Sequence, residues 1–340
     1  MALPLFEAGK KRILFFTRGR GRGHAIPDIA VGRELEQLRP DIAVRFVSYG
    51  TGALTFAAHG IPCIDLQLPD HNSIAATTVL AGRLIASMAP ELVVAHEEFS
   101  AMPVAKIFGL PTVMITDFFA EPGMLSMDSL WFADRVFFLA KRGLHAEPPS
   151  VKGKVEYLGP ALREFAYGRR DRLRARAELQ LPADATIITV LPGSWTEAMA
   201  PCFDPVMAAF DSLKQPSKHL VWLAGTDEHL LKQRVSGRNN ITVLGADWQI
   251  DRLMVASDLA ITKANRMTVI ELAALGIRTL SLSHGLNPVD ERCVAGLRSN
   301  ETIGVADLTP RRLKLTLARQ TPVPVRFRSR SCAKALSQLL

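Results

Sequence analysis

An alternation that runs through this chain twice sets the limits on its fold. Short apolar runs, most of them continuous, are separated by segments with helical spacing. Strands covered by helices on both faces read this way, and parallel sheets are the sheets so covered. In the first half the runs are Arg12 to Phe16, Ala43 to Ser48, Cys63 to Asp65, Leu92 to Ala95, Thr112 to Thr116, Arg135 to Leu139 and Val155 to Tyr157. Helices fit over Gly52 to His59, Ile74 to Met88 and Ala101 to Phe108. In the second half the runs are Ile187 to Leu191, His219 to Leu223, Ile241 to Leu244, Leu259 to Thr262 and Thr279 to Leu282, with helices over Pro205 to Leu213, Gln249 to Ala256 and Val269 to Leu275. Gly60, Gly109 and Gly276 each stand between a helix and the next strand, where glycine ends helices. The pattern predicts an α/β protein of two tandem, doubly wound, Rossmann-like domains, over residues 1–160 and 161–320, followed by a tail over 321–340. A chain of 340 residues suits that division. Ligands of such sheets sit outside the carboxyl ends of the strands, so two domains facing across a cleft bring both sets of loops onto it.

The first apolar run ends in Gly19-Arg-Gly21-Arg-Gly23-His24, and Ile26 to Leu38 reads as the helix that follows. The spacing is not the G-x-G-x-x-G of dinucleotide sites, and no Gly-Lys-Ser/Thr makes it a P-loop. Asp41 precedes the next strand rather than ending it, so no ribose-binding acid stands where that fingerprint requires one. What is left is a sharp turn at a helix N-terminus, where backbone amides attract anions. His24, at its mouth, titrates near neutral pH and can move protons.

The net charge is +8, which favours anionic ligands or an anionic membrane surface. No zinc spacing, basic recognition helix or aromatic-studded basic strand points to nucleic acid. Cys63, Cys202, Cys293 and Cys332 are scattered, as free thiols of a reducing compartment are, and form no metal-binding spacing. The start carries no charged leader followed by an apolar core, and no apolar stretch approaches the ~20 residues of a membrane span. The expectation is a cytoplasmic protein, with peripheral contact at the inner membrane face.

Three segments of the second half carry polar groups at strand ends. Pro192-Gly193-Ser194 follows an apolar run, and its amides and hydroxyl suit a phosphate. Thr268 stands three residues before Glu271, the spacing of a capping box, with Thr268 as the cap. Asn287, Asp290 and Glu291 follow the next run and suit sugar hydroxyls. With these in view the chain resembles the GT-B nucleotide-sugar glycosyltransferases similar to the MurG family, over nearly its whole length. The family's glycine loop ending in His is similar to Gly19 to His24, and its interdomain Gly-Asn-Pro-Val-Arg resembles Gly159-Pro-Ala-Leu-Arg163. Its Gly-Gly-Ser loop resembles Pro192 to Ser194, and its Ser-Gly-Ala-x-Thr-x-x-Glu segment is similar to Lys263 to Glu271. Two departures stand out: Ala264-Asn265-Arg266 replaces Ser-Gly-Ala, and Asp290-Glu291 replaces the Gln/Asn pair of the sugar loop.

The resemblance implies a GT-B fold and transfer of a sugar, with inversion, from a nucleotide-sugar such as a UDP-sugar to an acceptor hydroxyl. Arg163, Gly193 and Ser194 would contact the base or phosphates. Asn265, Arg266, Met267 and Thr268 would cradle the diphosphate, Glu271 the ribose, and Asn287, Asp290 or Glu291 the donor sugar. Gly21 and Gly23 would approach the donor as well. No metal or cofactor is implied, because helix dipoles and basic groups can stabilise the leaving diphosphate. A histidine suits the role of base that removes the acceptor's proton, and a carboxylate would orient it. His24 is that candidate, with Glu97, Glu98 or Asp117 as its partner and Glu98 preferred; His96 shares the rim and ranks behind. Ile74 to Met88 and Phe118 to Leu125 are apolar pieces that would receive a lipid-linked acceptor or else belong to the core. A nucleotide-sugar hydrolase or epimerase, and a non-catalytic nucleotide-sugar-binding protein, are the competing readings.

Overall fold

The parallel sheets predicted from the apolar runs are present in a computed structural model, which describes residues 6–7, 9–69, 74–119, 125–191, 200–245, 249–283, 288–327 and 331–340. The chain divides into two units, one of residues 1–164 with 327–340 and one of residues 165–326. The first contains β1 (Lys11–Thr17), α1 (Ala25–Leu38), β2 (Ile42–Ser48), α2 (Gly50–Ala58), β3 (Cys63–Asp65), α3 (Ile74–Met88), β4 (Leu92–His96), α4 (Ala101–Ile107), β5 (Thr112–Thr116), α5 (Leu125–Leu130), β6 (Arg135–Phe138) and β7 (Val155–Tyr157). Its strands form one parallel sheet in the order β3-β2-β1-β4-β5-β6-β7. Alternate residues of β1 go to opposite faces, as strand geometry requires. Ile13 and Phe15 pack with α1 and α2, whereas Leu14 and Phe16 pack with α3 and α4. The sheet is thus covered on both sides, which explains why its strands read as unbroken apolar runs. Helix α3 gives Thr77, Ala81, Leu84, Ile85 and Met88 to the interior, so one face of the predicted acceptor segment is core.

The second unit contains α6 (Arg172–Glu178), β8 (Thr186–Leu191), α7 (Phe203–Asp211), β9 (Lys218–Leu223), α8 (Glu228–Arg234), β10 (Ile241–Leu244), α9 (Ile250–Ala256), β11 (Leu259–Lys263), α10 (Arg266–Leu275), β12 (Thr279–Ser283), α11 (Pro288–Ala295), β13 (Asn300–Gly304) and α12 (Pro310–Ala318). Its parallel sheet runs β10-β9-β8-β11-β12-β13. Ile188 and Val190 of β8 face α7, while Ile187 and Leu191 face α9 and α10. Strand β13 extends the expected sheet by one; its Asn-Glu-Thr-Ile-Gly sequence lacks the apolar run that marks the inner strands. Gly276 ends α10 with φ of +69°, and a Cβ there would lie 2.9 Å from the Pro324 ring, so both backbone and space select glycine.

Residues 331–340 return to the first unit. Helix α13 (Cys332–Ser337) buries Cys332, Ala333, Ala335 and Leu336 against α1 and the sheet. Ser331 donates to Glu34 at 2.7 Å, and Arg39 donates to the Ser337 carbonyl at 3.0 Å. Among the described residues no helix is long and apolar enough to cross a membrane.

Candidate active site

In both sheets the chain reverses its winding between neighbouring strands, β1 against β4 in the first and β8 against β11 in the second. Such switch points open a crevice at the carboxyl ends of the strands. In the first unit β1 delivers Thr17, β4 delivers His96 and Glu97, and the loop from β1 into α1 delivers His24. That loop is pinned from both sides. Arg18 donates its backbone N–H to the His96 carbonyl at 3.1 Å, and the Gly19 carbonyl accepts from Gly52 at 2.8 Å. A side chain at Gly19 would collide with Tyr49, so this glycine is there for close packing. Gly21 is buried with φ of +74°, the left-handed turn that aims the loop, and Gly23 is exposed beside His24. Burial of Gly21 gives it a structural role in the turn, whatever the donor contacts of Gly23.

Two carboxylate–imidazole pairs meet here. His24 Nε2 lies 2.8 Å from Glu97 Oε2. The second Glu97 oxygen accepts from the Thr116 hydroxyl at 3.2 Å and from the Asp117 backbone N–H at 3.3 Å. The Arg18 guanidinium lies 3.6 Å from Glu97 Oε2. Behind them, His96 Nδ1 lies 2.7 Å from Asp28 Oδ1, and Thr17 donates to the other Asp28 oxygen at 2.7 Å. The two imidazoles meet edge to face with centroids 4.7 Å apart. Asp28, His96 and Glu97 are at most 5 % exposed, whereas the His24 side chain is 17 % exposed and is the member that reaches solvent. Three potential metal ligands also gather here: His24, His96 and Glu97 place one donor atom each within 4.8 Å of one another.

The preference for Glu98 is corrected by this geometry. Glu98 accepts instead from the Tyr49 hydroxyl at 2.9 Å and the Ser100 hydroxyl at 2.6 Å, and is part of the wall. Glu97 is the acid that meets His24, and its backbone sits at φ +54°, a left-handed conformation rare for a non-glycine residue. Asp117 joins the site through its backbone N–H. Two residues ranked low or passed over, His96 and Asp28, form the buried second pair. One signal was available: Asp28 stands four residues after His24, on the same face of the helix that begins there.

Burial pushes the Glu97 carboxyl up, yet the His24 bond and the charges of His24, His96 and Arg18 outweigh it and hold the group down at about 2. Burial pushes the His24 imidazole below its ordinary range, against the pull of Glu97. In the neutral imidazole, the form that burial favours, Nε2 donates its hydrogen to the ionised carboxylate, which can only accept. Nδ1, itself buried, then carries the lone pair, and among the described residues it has no hydrogen-bond partner.

In the second unit the switch point ends in a helix N-terminus. β11 stops at Lys263, and α10 begins at Arg266. The N-cap is Asn265, whose side-chain oxygen accepts from the Thr268 N–H at 3.0 Å. Thr268 is therefore not the cap, as its spacing to Glu271 suggested, but the residue being capped. Asparagine is the stronger cap and stands where the backbone is extended, at ψ 140°. This leaves the first amides of α10, on Arg266 and Met267, outside the intrahelical ladder, together with the positive end of the helix dipole. Arg266 and Glu271 are buried in the same helix. Beside it, Glu291 of α11 accepts from Ser283, at the end of β12, at 2.7 Å. Arg163 is half-buried, between β7 and α6. Gly193, Ser194 and Asn287 lie outside the described residues, as does the Asp290 side chain.

No protein-family profile matches the chain. It is 26% identical, over 298 residues, to the UDP-N-acetylglucosamine–N-acetylmuramyl-(pentapeptide) pyrophosphoryl-undecaprenol N-acetylglucosamine transferase of Desulforudis audaxviator, covering 79% of this chain and 77% of that one. Among solved structures it resembles MurG of Acinetobacter baumannii, with a TM-score of 0.57, 19% identity and 91% of each chain covered. It also resembles the UDP-GlcNAc 2-epimerase of Methanocaldococcus jannaschii, with a TM-score of 0.62, 11% identity and coverage of 97% of this chain and 99% of that one.

Proposed function

We propose that this chain, a glycosyltransferase of the MurG-like UDP-glycosyltransferase superfamily, moves a sugar from a UDP-sugar to an acceptor hydroxyl with inversion and without a metal ion. The observation that carries the reading is the His24–Glu97 pair, 2.8 Å apart, with Nδ1 of the imidazole buried and given no other hydrogen-bond partner among the described residues. Glu97 fixes the proton on Nε2 and stabilises the imidazolium once it forms. Nδ1 takes the proton of the acceptor hydroxyl as its oxygen bonds to the anomeric carbon. The bond from that carbon to the diphosphate oxygen breaks on the opposite face, and UDP leaves with the electron pair. The first amides of α10 and the Arg266 charge offset the negative charge developing on the diphosphate. Glu271 is assigned to the ribose hydroxyls, Asn265 to Thr268 with Gly193 and Ser194 to the phosphates, Arg163 to the base, and Asn287, Asp290 or Glu291 to the donor sugar. The bacterial relative of 26% identity is named for an undecaprenol-linked acceptor, which supports a lipid-linked saccharide as the acceptor class here. Basic Arg18, Arg20 and Arg22 on the loop before α1 suit an acceptor diphosphate or a peripheral position on an anionic inner membrane face.

The test is incubation of the full chain with UDP-N-acetylglucosamine and other UDP-, dTDP- and GDP-sugars, with and without a polyisoprenyl-diphosphate-linked saccharide, products being read by mass spectrometry. UDP and an elongated acceptor appear together under this reading. Free sugar and UDP without acceptor would make the chain a hydrolase. A stereoisomer of the donor sugar would make it an epimerase like the archaeal protein whose fold it shares, and binding without turnover would leave a binding protein.

A further inference from the structure

Around His24 and His96 the unusual feature is how the donor atoms are held from behind. His96 is bound through Nδ1 to a buried carboxylate, Asp28, which Thr17 fixes in turn. Glu97 is bound through Oε1 to Thr116 and to the Asp117 N–H, which leaves Oε2 facing His24. A carboxylate behind an imidazole and donors behind a ligating carboxylate are the outer contacts that orient metal ligands. One donor atom from each of His24, His96 and Glu97 already lies within 4.8 Å of the others. A tetrahedral zinc ion with bonds near 2.1 Å needs its ligands about 3.4 Å apart. The His24–Glu97 contact, at 2.8 Å, would open by roughly half an ångström, and the other two donor pairs, already within 4.8 Å, would settle to the same spacing.

We propose that His24, His96 and Glu97 form a binding site for a zinc-class divalent ion, with the fourth position left to water, and that an ion bound there switches sugar transfer off. Two imidazoles and a carboxylate form a donor set that selects zinc-class ions over magnesium or calcium, which take oxygen ligands. The ion takes up Nε2 of His24 and Oε2 of Glu97, the two atoms whose contact orients the imidazole, and so breaks the pair to which the transfer is assigned. Binding needs only the geometry; the inhibition rests on the assignment of His24 as the base. Arg18, 3.6 Å from Glu97 Oε2, is the charge that opposes the ion, and its part-exposed side chain can turn to solvent.

The experiment is calorimetric titration of the metal-free full chain with Zn2+ alone, paired with the absorption spectrum of the Co2+ form. One ion per chain is expected, and a cobalt spectrum without thiolate charge transfer, since Cys63, Cys202, Cys293 and Cys332 contribute nothing to the site. His96→Asn weakens zinc binding by about a hundredfold or more, and Asp28→Asn, which removes only the outer contact, by about ten- to a hundredfold. Arg18→Gln tightens it. Where a buried substitution fails to fold, His24→Gln on the part-exposed loop serves as the ligand deletion. Zinc lowers the transfer rate of the unaltered chain, and in His96→Asn the ratio of rates with and without zinc returns to about one, whatever the metal-free rate of that variant. No stoichiometric binding, or binding unmoved by His96→Asn and His24→Gln, overturns the site. Stoichiometric binding that those substitutions abolish but that leaves the rate untouched overturns the switch and, separately, the assignment of His24 as base.

Discussion

Replacing Glu97 by glutamine changes one atom's chemistry and, by the geometry here, the tautomer of the base. The side chain is isosteric, so the question is which way its amide points. Oε1 of Glu97 accepts from two donors, the Thr116 hydroxyl at 3.2 Å and the Asp117 N–H at 3.3 Å. The amide oxygen of glutamine is held there, which turns its NH2 toward His24 Nε2, 2.8 Å from the present oxygen. Two donors cannot face each other, so the imidazole proton moves to Nδ1 and the lone pair to Nε2. Nδ1, to which the proposed transfer assigns the acceptor's proton, then has no lone pair to take it. A positioned general base contributes about 10²–10⁴ in rate, so kcat falls by that factor, which is about 3–5 kcal/mol of transition-state stabilisation. Donor affinity is assigned to the second unit and stays within about twofold, so the loss lies in kcat rather than in KM for the UDP-sugar. The assay is the initial rate of product formation at saturating donor, with UDP binding measured by calorimetry on the same sample. Glu98→Gln is the control: it disturbs the Tyr49 and Ser100 hydrogen bonds and costs stability of about 1–3 kcal/mol, with a small effect on kcat. A Glu97→Gln enzyme within about threefold of the unaltered rate would refute the reasoning, as would a larger kcat loss in Glu98→Gln.

Three further outcomes follow from other parts of the molecule. Glu271→Ala lowers UDP affinity by about tenfold, the worth of one charge-assisted hydrogen bond, whereas His24→Ala leaves that affinity unchanged and lowers the rate; calorimetry against steady-state kinetics separates the two. Gly276→Ala costs about 2 kcal/mol or more in denaturant unfolding, from the left-handed backbone and from the 2.9 Å approach of a Cβ to Pro324. Adding Pro324→Gly recovers the second part and leaves the first. Leu336→Ala, in the fully buried side of α13, destabilises the first unit by about 2–5 kcal/mol, read as a shift in unfolding midpoint, and no loss would mean that the C-terminal helix is not part of that core.

The inner strands were legible because burial on both faces leaves a continuous apolar run, and Ile13 to Phe16 or Leu220 to Leu223 can be little else. The same reasoning explains the strand it missed. Among the described residues β13 is the last strand of its sheet, and Asn300-Glu-Thr-Ile-Gly304 lacks the continuous apolar run of the inner strands. Helix α12 was missed although Thr309 and Pro310 announce it, the threonine capping Arg312 at 3.2 Å with proline in the first turn. His24 could be read from the loop that ends in it. Its partner could not: Glu97 and Glu98 are neighbours with the same chemistry, and only the folded contact between Glu97 and His24 decides between them. The His96–Asp28 pair joins residues 68 apart in sequence, and the one local signal, Asp28 four residues after His24, does not point to His96.

The two sheets suggest why the site chemistry falls where it does. Each winds outward from a central strand, β1 or β8, and then crosses to the other side, at β4 or β11. The helices after β1 and β4, α1 and α4, pack on opposite faces, and so do those after β8 and β11, α7 and α10. Helices that pack on opposite faces part at the carboxyl end of such a strand pair and leave a crevice there, where polar groups can be buried without displacing apolar packing. In the first unit the seam holds two carboxylate–imidazole pairs, an arrangement suited to moving a proton. In the second it ends in Lys263, Asn265 and the first amides of α10, an arrangement suited to holding an anion. The proposed transfer asks an acceptor to lose a proton and a donor to release a diphosphate, and one topology used twice offers a seam suited to each. The same argument predicts that exchanging charge between the seams fails in opposite ways. Lys263→Glu weakens UDP binding with the proton-transfer pair untouched, and Asp28→Asn lowers kcat with UDP binding intact.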